Sequence, residues 1–109
     1  MNKPRVIHTN AGNWEKLSDN VSFKHLARDE ARNFQMDITT LAPNSTLKEH
    51  THADVEWIFV LEGSFYDDNG TYSVGDFMEF PKNSTHISRS GEAGCKLLRY
   101  WCGKVIGGY

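Results

Sequence analysis

The sequence predicts an all-β protein built as an antiparallel double-sheet jelly roll. Apolar and polar residues alternate over residues 21–27 and 34–42, which is the pattern of half-buried strands. Asn69-Gly70 lies between two strand-like flanks and is a strong local signal for a hairpin turn. Turn residues separate roughly eight short strands, and no long segment has helical periodicity. A jelly roll is the simplest arrangement of so many antiparallel strands in one small domain.

The chain is predicted to form a single domain that follows a short arm. Its 109 residues can enclose one hydrophobic core but not a second catalytic domain. Residues 1–20 lack strong periodicity and are interpreted as an N-terminal arm, anchored by Trp14 and Leu17. Residues 21–109 then form the domain.

Composition and charge narrow the function classes. The chain is 39% hydrophobic and 24% charged with a net charge of −2, so it lacks the basic excess of a nucleic-acid binder. Residues 1–14 lack the apolar stretch of a signal peptide, and no apolar run approaches membrane-spanning length. We therefore expect a cytoplasmic protein that binds a small molecule and neither nucleic acid nor membranes.

Cys95 and Cys102 are expected to be reduced, partly buried thiols rather than a redox pair or a zinc clip. If residues 95–102 form a strand, the two cysteines lie about 23 Å apart and face opposite sides. They are then too distant to form a disulfide with each other.

The apolar segment at residues 57–61 predicts a surface that another element must cover. All five of its residues are apolar, so both faces of the strand need packing. If Glu56 points inward, alternation places Ile58 and Val60 inward and Trp57, Phe59 and Leu61 outward. The outward set can pack against another sheet, the arm or a second subunit, and we expect a homodimer.

Two closely spaced histidines and two further donors carry the functional signal. In an extended strand His50 and His52 share a face, with Cα atoms about 6.7 Å apart. Residues 53–55 are enough for a tight turn, which lets Glu56 open the next strand beside the pair. Together with His86, these residues are predicted to bind one metal ion.

The spacing of these donors resembles that of the cupin superfamily, the RmlC-like jelly rolls. The first cupin motif, H-x-H-x3-E-x6-G, is matched within residues 44–63 by His50, His52, Glu56 and Gly63. The G-x5-P-x4-H part of the second motif is matched within residues 75–90 by Gly75, Pro81 and His86. The region looks most like the ChrR-type cupins, a group that also resembles acetylacetone-cleaving dioxygenases. The resemblance implies a cupin β-barrel with a metal bound by His50, His52, Glu56 and His86.

Three positions depart from the cupin motifs, and none of them is a ligand position. Asn44 and Asn83 replace glycines, and Ser90 replaces a closing asparagine. Asparagine tolerates positive φ better than other residues with a Cβ, so we expect both turns to keep a left-handed residue.

Three imidazoles and one carboxylate suit one divalent transition metal per chain. Fe(II) and Zn are favoured, Mn, Ni, Cu and Co stay open, and Ca and Mg fit poorly. A closed four-ligand site would be structural or sensory, whereas a five- or six-coordinate ion keeps positions for substrate or dioxygen. Glu56 is either a ligand, which its spacing favours, or an uncoordinated base.

Other polar residues are assigned structural roles. His8 and His25 lie outside the motifs and are expected at the surface. Glu49 and Asp54 can each hydrogen-bond a ligand imidazole, although solvated charge is the simpler assignment. Packing is assigned to four side chains that can reach a cavity, Tyr66, Tyr72, Arg99 and Tyr100.

Two function classes follow from the resemblance. The first is a metal-dependent, dioxygenase-like enzyme acting on a small dicarbonyl or enolisable compound. The second is a non-catalytic zinc-binding sensory or regulatory module like the ChrR cupin domain. A ChrR-type regulator carries a helical sigma-binding segment ahead of its cupin, for which these residues leave no room, so we favour the enzyme. A barrel that keeps the motif without binding metal is a third alternative, since one fold hosts many functions.

Overall fold

All regular secondary structure in the described part of the chain is β-strand. The computed structural model describes residues 2–47, 50–52, 54–102 and 105–106, with the backbone alone at 50–52 and 105–106. Its strands are β1 Glu15–Ser18, β2 Val21–Asp29, β3 Phe34–Leu41, β4 His50–His52, β5 Glu56–Asp67, β6 Gly70–Ser73, β7 Phe77–Phe80, β8 Thr85–His86, β9 Arg89–Cys102 and β10 Val105–Ile106. Within these residues, no helix is long and apolar enough to cross a membrane.

The strands form two sheets, which confirms the predicted all-β, double-sheet architecture. The larger sheet has the order β1-β2-β3-β9-β5-β6, with β7 also paired to β5. The smaller sheet has the order β10-β4-β8. All of these pairings are antiparallel. The long strand β9 lies between β3 and β5, so its inward side chains meet those of both neighbours.

The predicted strand segments appear close to their expected positions. The alternating segments at 21–27 and 34–42 are the strands 21–29 and 34–41, and Asn69-Gly70 lies in the β5–β6 hairpin. Part of the N-terminal arm is itself an edge strand, since β1 pairs with β2. The Lys24 ammonium lies over the Trp14 ring, 5.4 Å from the ring centroid, whereas Leu17 is exposed. The division of the chain at residue 20 stays a prediction.

The hydrophobic core is formed by the inward faces of the large sheet and its neighbouring loops. Strand β5 alternates as predicted, with Ile58 and Val60 buried and Trp57 and Phe59 exposed. The core members are Val21, Leu41, Leu47, Ile58, Val60, Phe65, Met78, Phe80, Cys95 and Leu97. Cys95 and Cys102 are both free thiols, as expected, and burial raises the pKa of Cys95 to about 11.

The turns where the chain departs from the cupin motifs keep their left-handed residues. Asn44 has a φ of 54° and Asn83 a φ of 68°, which confirms the expectation for both. Ser90 is buried, and its hydroxyl accepts a hydrogen bond from the Ser45 amide at 2.9 Å and donates one to the Ala42 carbonyl at 2.5 Å. The serine therefore ties the loop after β3 to β9.

Gly63 is required by a close approach of β5 to β9. It has a φ of 70°, and a Cβ at this position would lie 2.1 Å from the carbonyl oxygen of Gly94. A side chain would therefore meet both a strained backbone and a fixed backbone atom. The motif glycine thus allows the backbones of β5 and β9 to approach each other this closely.

An aromatic stripe runs across the outer face of the large sheet, formed by Phe34, Trp57, Phe77 and Tyr100. Trp57 and Tyr100 stack with their ring centroids 4.8 Å apart, and Tyr100 stacks on Phe34 at 5.3 Å. Phe77 lies 6.4 Å from Trp57 and is 59% exposed. The stripe is therefore an apolar surface that remains open to solvent in a single chain.

The homodimer stays a prediction, and the aromatic stripe is the surface on which we expect it to form. Light scattering on the wild type should give about twice the chain mass of 12.4 kDa. Phe77→Glu should shift the mass to that of one chain, because it places a charge in the stripe. Val6→Glu is the matched control, since Val6 is 64% exposed and lies outside the stripe. A single-chain mass for the wild type at micromolar concentration would contradict the prediction.

Candidate functional site

Three charged side chains lie buried together at the centre of the large sheet, Asp37, Glu56 and Arg99, which are 1%, 1% and 4% exposed. The Arg99 guanidinium donates from Nε and Nη2 to the two Asp37 oxygens, at 2.9 and 2.8 Å. Its Nη1 donates to Glu56 Oε2 at 3.2 Å. One cation therefore connects two carboxylates, an arrangement that we call the Asp37–Arg99–Glu56 bridge.

Strand register brings the members of this bridge together. Arg99 in β9 is paired with Asp37 in β3 and with Ile58 in β5. Glu56 is two residues from Ile58 and therefore lies on the same face of β5. Each member comes from a different strand, so the bridge forms only when β3, β9 and β5 are correctly aligned.

Asp37 is held in its ionised form. Burial opposes ionisation, but the Arg99 charge and hydrogen bonds from Arg99, Thr39 and Trp101 together keep the pKa of Asp37 below its ordinary value. Thr39 Oγ1 donates to Oδ1 at 2.7 Å and Trp101 Nε1 donates to Oδ2 at 3.1 Å. Asp37 thereby balances the charge of Arg99.

Glu56 lies where a negative charge is costly. Burial raises its pKa to about 7, with Asp37 adding to the rise and the Arg99 charge opposing it. A cation beside this carboxylate would offset that cost. The position therefore fits the metal that the sequence predicts, because a carboxylate oxygen is a suitable ligand for such an ion.

His86, in β8, is buried and held from several sides. Its Nδ1 lies 3.0 Å from Ser88 Oγ and 3.6 Å from Asp67 Oδ2. Its ring stacks on Phe80 with the centroids 4.3 Å apart. These contacts fix the plane of the imidazole, which is what a metal ligand requires.

Glu56 and His86 line one internal cavity. Its volume of about 20 Å³ is room for about one water molecule. Among the described residues, the others that line it are Thr39, Leu41, Leu47, Ile58, Phe65, Ser88, Leu97 and Arg99. A carboxylate and an imidazole thus converge on a small space whose remaining walls are mostly apolar.

The histidine pair forms strand β4, next to His86. In the β4–β8 ladder the residue opposite His86 is His50, and His52 is opposite Val105 on the other side of β4. The side chains of His50 and His52 lie outside the described residues. Among the residues that are described, no three His, Cys, Asp or Glu side chains are grouped closely enough to hold a metal. The four-ligand site therefore stays a prediction.

Most of the structural assignments agree with the structure, and one needs correction. His8, His25 and Asp54 are exposed, and Asp54 Oδ1 accepts a hydrogen bond from the Val55 amide at 2.8 Å, while Glu49 lies outside the described residues. Tyr66 is exposed and Tyr100 belongs to the outer aromatic stripe. The packing role assigned to Arg99 was wrong, because its guanidinium lines the cavity and binds two carboxylates.

The sequence matches the family model of the ChrR cupin-like domain over residues 2–101. This chain belongs to that cupin family. The match includes both cupin motifs and most of the predicted arm. No curated protein matches the sequence.

Solved structures share the cupin fold at low sequence identity. A putative acetylacetone dioxygenase from Methylibium petroleiphilum PM1 has a TM-score of 0.83 and 13% identity, over 96% of this chain and 81% of that chain. The structure of Rhodobacter sphaeroides SigE with the anti-sigma ChrR has a TM-score of 0.76 and 18% identity, over 86% of this chain and 50% of that chain. A cupin-like protein of unknown function from Ralstonia eutropha JMP134 has a TM-score of 0.71 and 18% identity, over 77% of this chain and 56% of that chain. This cupin therefore spans about half of two of these chains.

We predict that Arg99→Met destabilises the fold severely, because it leaves the Asp37 and Glu56 carboxylates buried without their shared cation. Losing one partner of a buried ion pair costs about 3–5 kcal/mol of unfolding free energy. Lys96→Met is the matched control on the same strand, since Lys96 forms a more exposed pair with Glu62 at 2.8 Å and should cost less than about 1 kcal/mol. Urea denaturation measures both. Equal losses would contradict a structural role for the bridge.

We predict that the metal-free protein loses stability as pH rises from about 4.5 to about 7. The folded state raises the pKa of Glu56 from 4.5 to about 7, so folding retains a proton that the unfolded chain releases in this window. Each pH unit then lowers the unfolding free energy by at most about 1.4 kcal/mol. Denaturation in a chelator should show this slope in the wild type and in the control Glu92→Gln, an exposed site. An unchanged slope in Glu56→Gln would contradict it.

Proposed function

We propose that this cupin is a metal-dependent, dioxygenase-like enzyme acting on a small dicarbonyl or enolisable compound. The observation that supports it is the joint burial of Glu56 and His86 around one cavity, where burial raises the pKa of Glu56 to about 7. Carboxylates whose pKa is strongly shifted by burial are concentrated at functional sites. The likeness to a putative acetylacetone dioxygenase supports the substrate class.

The proposed metal ligands are His50, His52, Glu56 and His86. A divalent ion there would polarise a carbonyl oxygen, and Fe(II) would also provide dioxygen chemistry. His86 would bind through Nε2, because its Nδ1 faces Ser88 and Asp67. Glu56 would bind through its carboxylate, which Arg99 orients by donating to Oε2.

The protein's own groups would position the substrate and control its protons. Arg99 fixes the Glu56 carboxylate in one orientation, and the apolar cavity walls keep bulk water away from it. A carboxylate with a pKa of about 7 can accept a proton from the acidic carbon of a dicarbonyl near neutral pH. Glu56 therefore has two proposed roles, as a ligand or as a base, and we favour the ligand role from its motif spacing.

A non-catalytic zinc-binding sensory module is the second candidate. The observation that favours it is the size of the cavity, since about 20 Å³ holds about one water molecule and no dicarbonyl without movement of its walls. The likeness to the structure containing ChrR points the same way. The two candidates share the metal site and differ in whether a substrate reaches it.

We predict about one divalent metal ion per chain, lost in His52→Ala and in His86→Gln. Elemental analysis of protein purified without a metal-affinity tag measures the content. Zinc at about 100 times its Kd should raise the wild-type unfolding free energy by about 2.7 kcal/mol and leave His86→Gln almost unchanged. His25→Gln is the control, since His25 is exposed.

Because imidazole must be neutral to coordinate, metal should be released as pH falls below about 6. Full occupancy in His52→Ala would rule out this ligand set.

Oxygen uptake by the Fe(II)-loaded protein, measured on a panel of small dicarbonyls, tests the enzymatic proposal. We expect uptake with at least one compound, and Glu56→Gln then separates the two roles of Glu56. As a ligand, its replacement weakens metal binding in a chelator competition; as a base, it leaves the affinity intact and reduces turnover. Glu92→Gln should change neither quantity. Tight zinc binding without uptake on any compound would favour the sensory module.

A further inference from the structure

We propose that Asp67 is a positioning residue that sets the tautomer of His86, placing the proton on Nδ1 so that Nε2 is the metal-binding nitrogen. This inference rests on the metal site proposed above. The sequence offered Glu49 and Asp54, which flank the histidine pair, as partners for a ligand imidazole, although it favoured solvated charge for both. Asp67 is distant from His86 in sequence and reaches it from the end of β5, beside the β5–β6 hairpin.

Asp67 is fixed so that one of its oxygens faces His86. Its side chain is 0% exposed. Oδ1 accepts hydrogen bonds from the Asn69 amide at 2.8 Å and from the Tyr72 hydroxyl at 3.1 Å. Oδ2 lies 3.6 Å from His86 Nδ1 and has no hydrogen-bond partner among the described residues. Two donors on one oxygen thus orient the other toward the imidazole.

Ser88 alone does not decide the tautomer of His86. Its hydroxyl is 3.0 Å from Nδ1, and a hydroxyl can donate to a bare nitrogen or accept from a protonated one. An ionised carboxylate only accepts. At 3.6 Å the Asp67 contact is too long for a good hydrogen bond, but a carboxylate oxygen at this distance still favours an N–H dipole pointing toward it over a lone pair. Asp67 therefore selects the Nδ1–H form, and the Ser88 hydroxyl accepts a hydrogen bond from it.

The selected tautomer decides whether His86 can bind a metal. A neutral imidazole with its proton on Nδ1 presents the lone pair of Nε2, on the other side of the ring. A carboxylate near the non-coordinating nitrogen also orients the ring, and loss of such a partner typically lowers metal affinity about 10- to 100-fold. Asp67 would thus fix the tautomer and the ring orientation of His86 already in the metal-free protein.

The Asp67→Asn variant tests this inference because it should place a hydrogen-bond donor, in place of an acceptor, opposite His86 Nδ1. The carboxamide oxygen should stay with the Asn69 and Tyr72 donors, which places the NH₂ group where Oδ2 faces His86. An NH₂ group donates, so it favours a lone pair on Nδ1 and a proton on Nε2. ¹⁵N NMR of the metal-free chain, well above the ordinary histidine pKa of about 6.5, should show His86 changing from the Nδ1–H to the Nε2–H form. Zinc affinity in a chelator competition should fall about 10- to 100-fold.

Two further variants separate positioning from structural support. Tyr72→Phe removes a donor from Oδ1 and leaves Oδ2 in place, so it should keep the Nδ1–H form and near-normal zinc affinity. Ser88→Ala should also keep the Nδ1–H form, and this result tests the inference even if Asp67→Asn fails to fold. An unchanged tautomer in Asp67→Asn, or a changed one in Ser88→Ala, would overturn it.

The two readouts distinguish this inference from the proposed metal site. If the wild type binds no zinc at His86 but Asp67→Asn still changes the His86 tautomer, the proposed metal site is refuted and the role of Asp67 in setting the tautomer stands. If the wild type binds zinc but Asp67→Asn leaves the tautomer unchanged, the metal site stands and the inference is refuted. The His86 signals can be assigned by their absence in His86→Gln.

Discussion

The site depends on a single buried guanidinium. Arg99 connects β9 to β3 through Asp37 and to β5 through Glu56, so the alignment of three strands and the orientation of one candidate ligand depend on the same side chain. Burying three charges is expensive unless each finds a partner. The additional donors on Asp37 reduce that cost. Burial still raises the pKa of Glu56 to about 7, beside the cavity where the metal is proposed to bind.

Individual strands and turns were predictable because they depend on short-range patterns. Alternation identified β2, β3 and the inward face of β5, and asparagine's tolerance of positive φ explained the turns at Asn44 and Asn83. The cupin spacing placed Glu56 and His86 together, and the structure has both at one cavity. These inferences needed only local periodicity, turn chemistry and the separation between motif residues.

The partners of the site residues were not predictable in the same way. Arg99 shares the inward parity of Leu97 in β9, which was a signal that its side chain faces the interior, but its pairing with Asp37 depends on the β3–β9 register. Asp67 has no neighbour in the sequence that hints at His86. Contacts of this kind depend on which strands are neighbours and in which register, and no spacing or motif in this sequence indicated either for these two residues.

The β5–β6 turn has a consequence for protein engineering. A hairpin tip with Asn69-Gly70 is the kind of exposed loop at which peptides and tags are usually inserted without harm. Here the Asn69 amide holds the carboxylate of Asp67, and that carboxylate faces His86. An insertion at this tip would therefore disturb the Asn69–Asp67 hydrogen bond and, with it, the carboxylate that faces the buried His86. The exposed turn at residues 30–32, between β2 and β3, is a better place for a fusion partner.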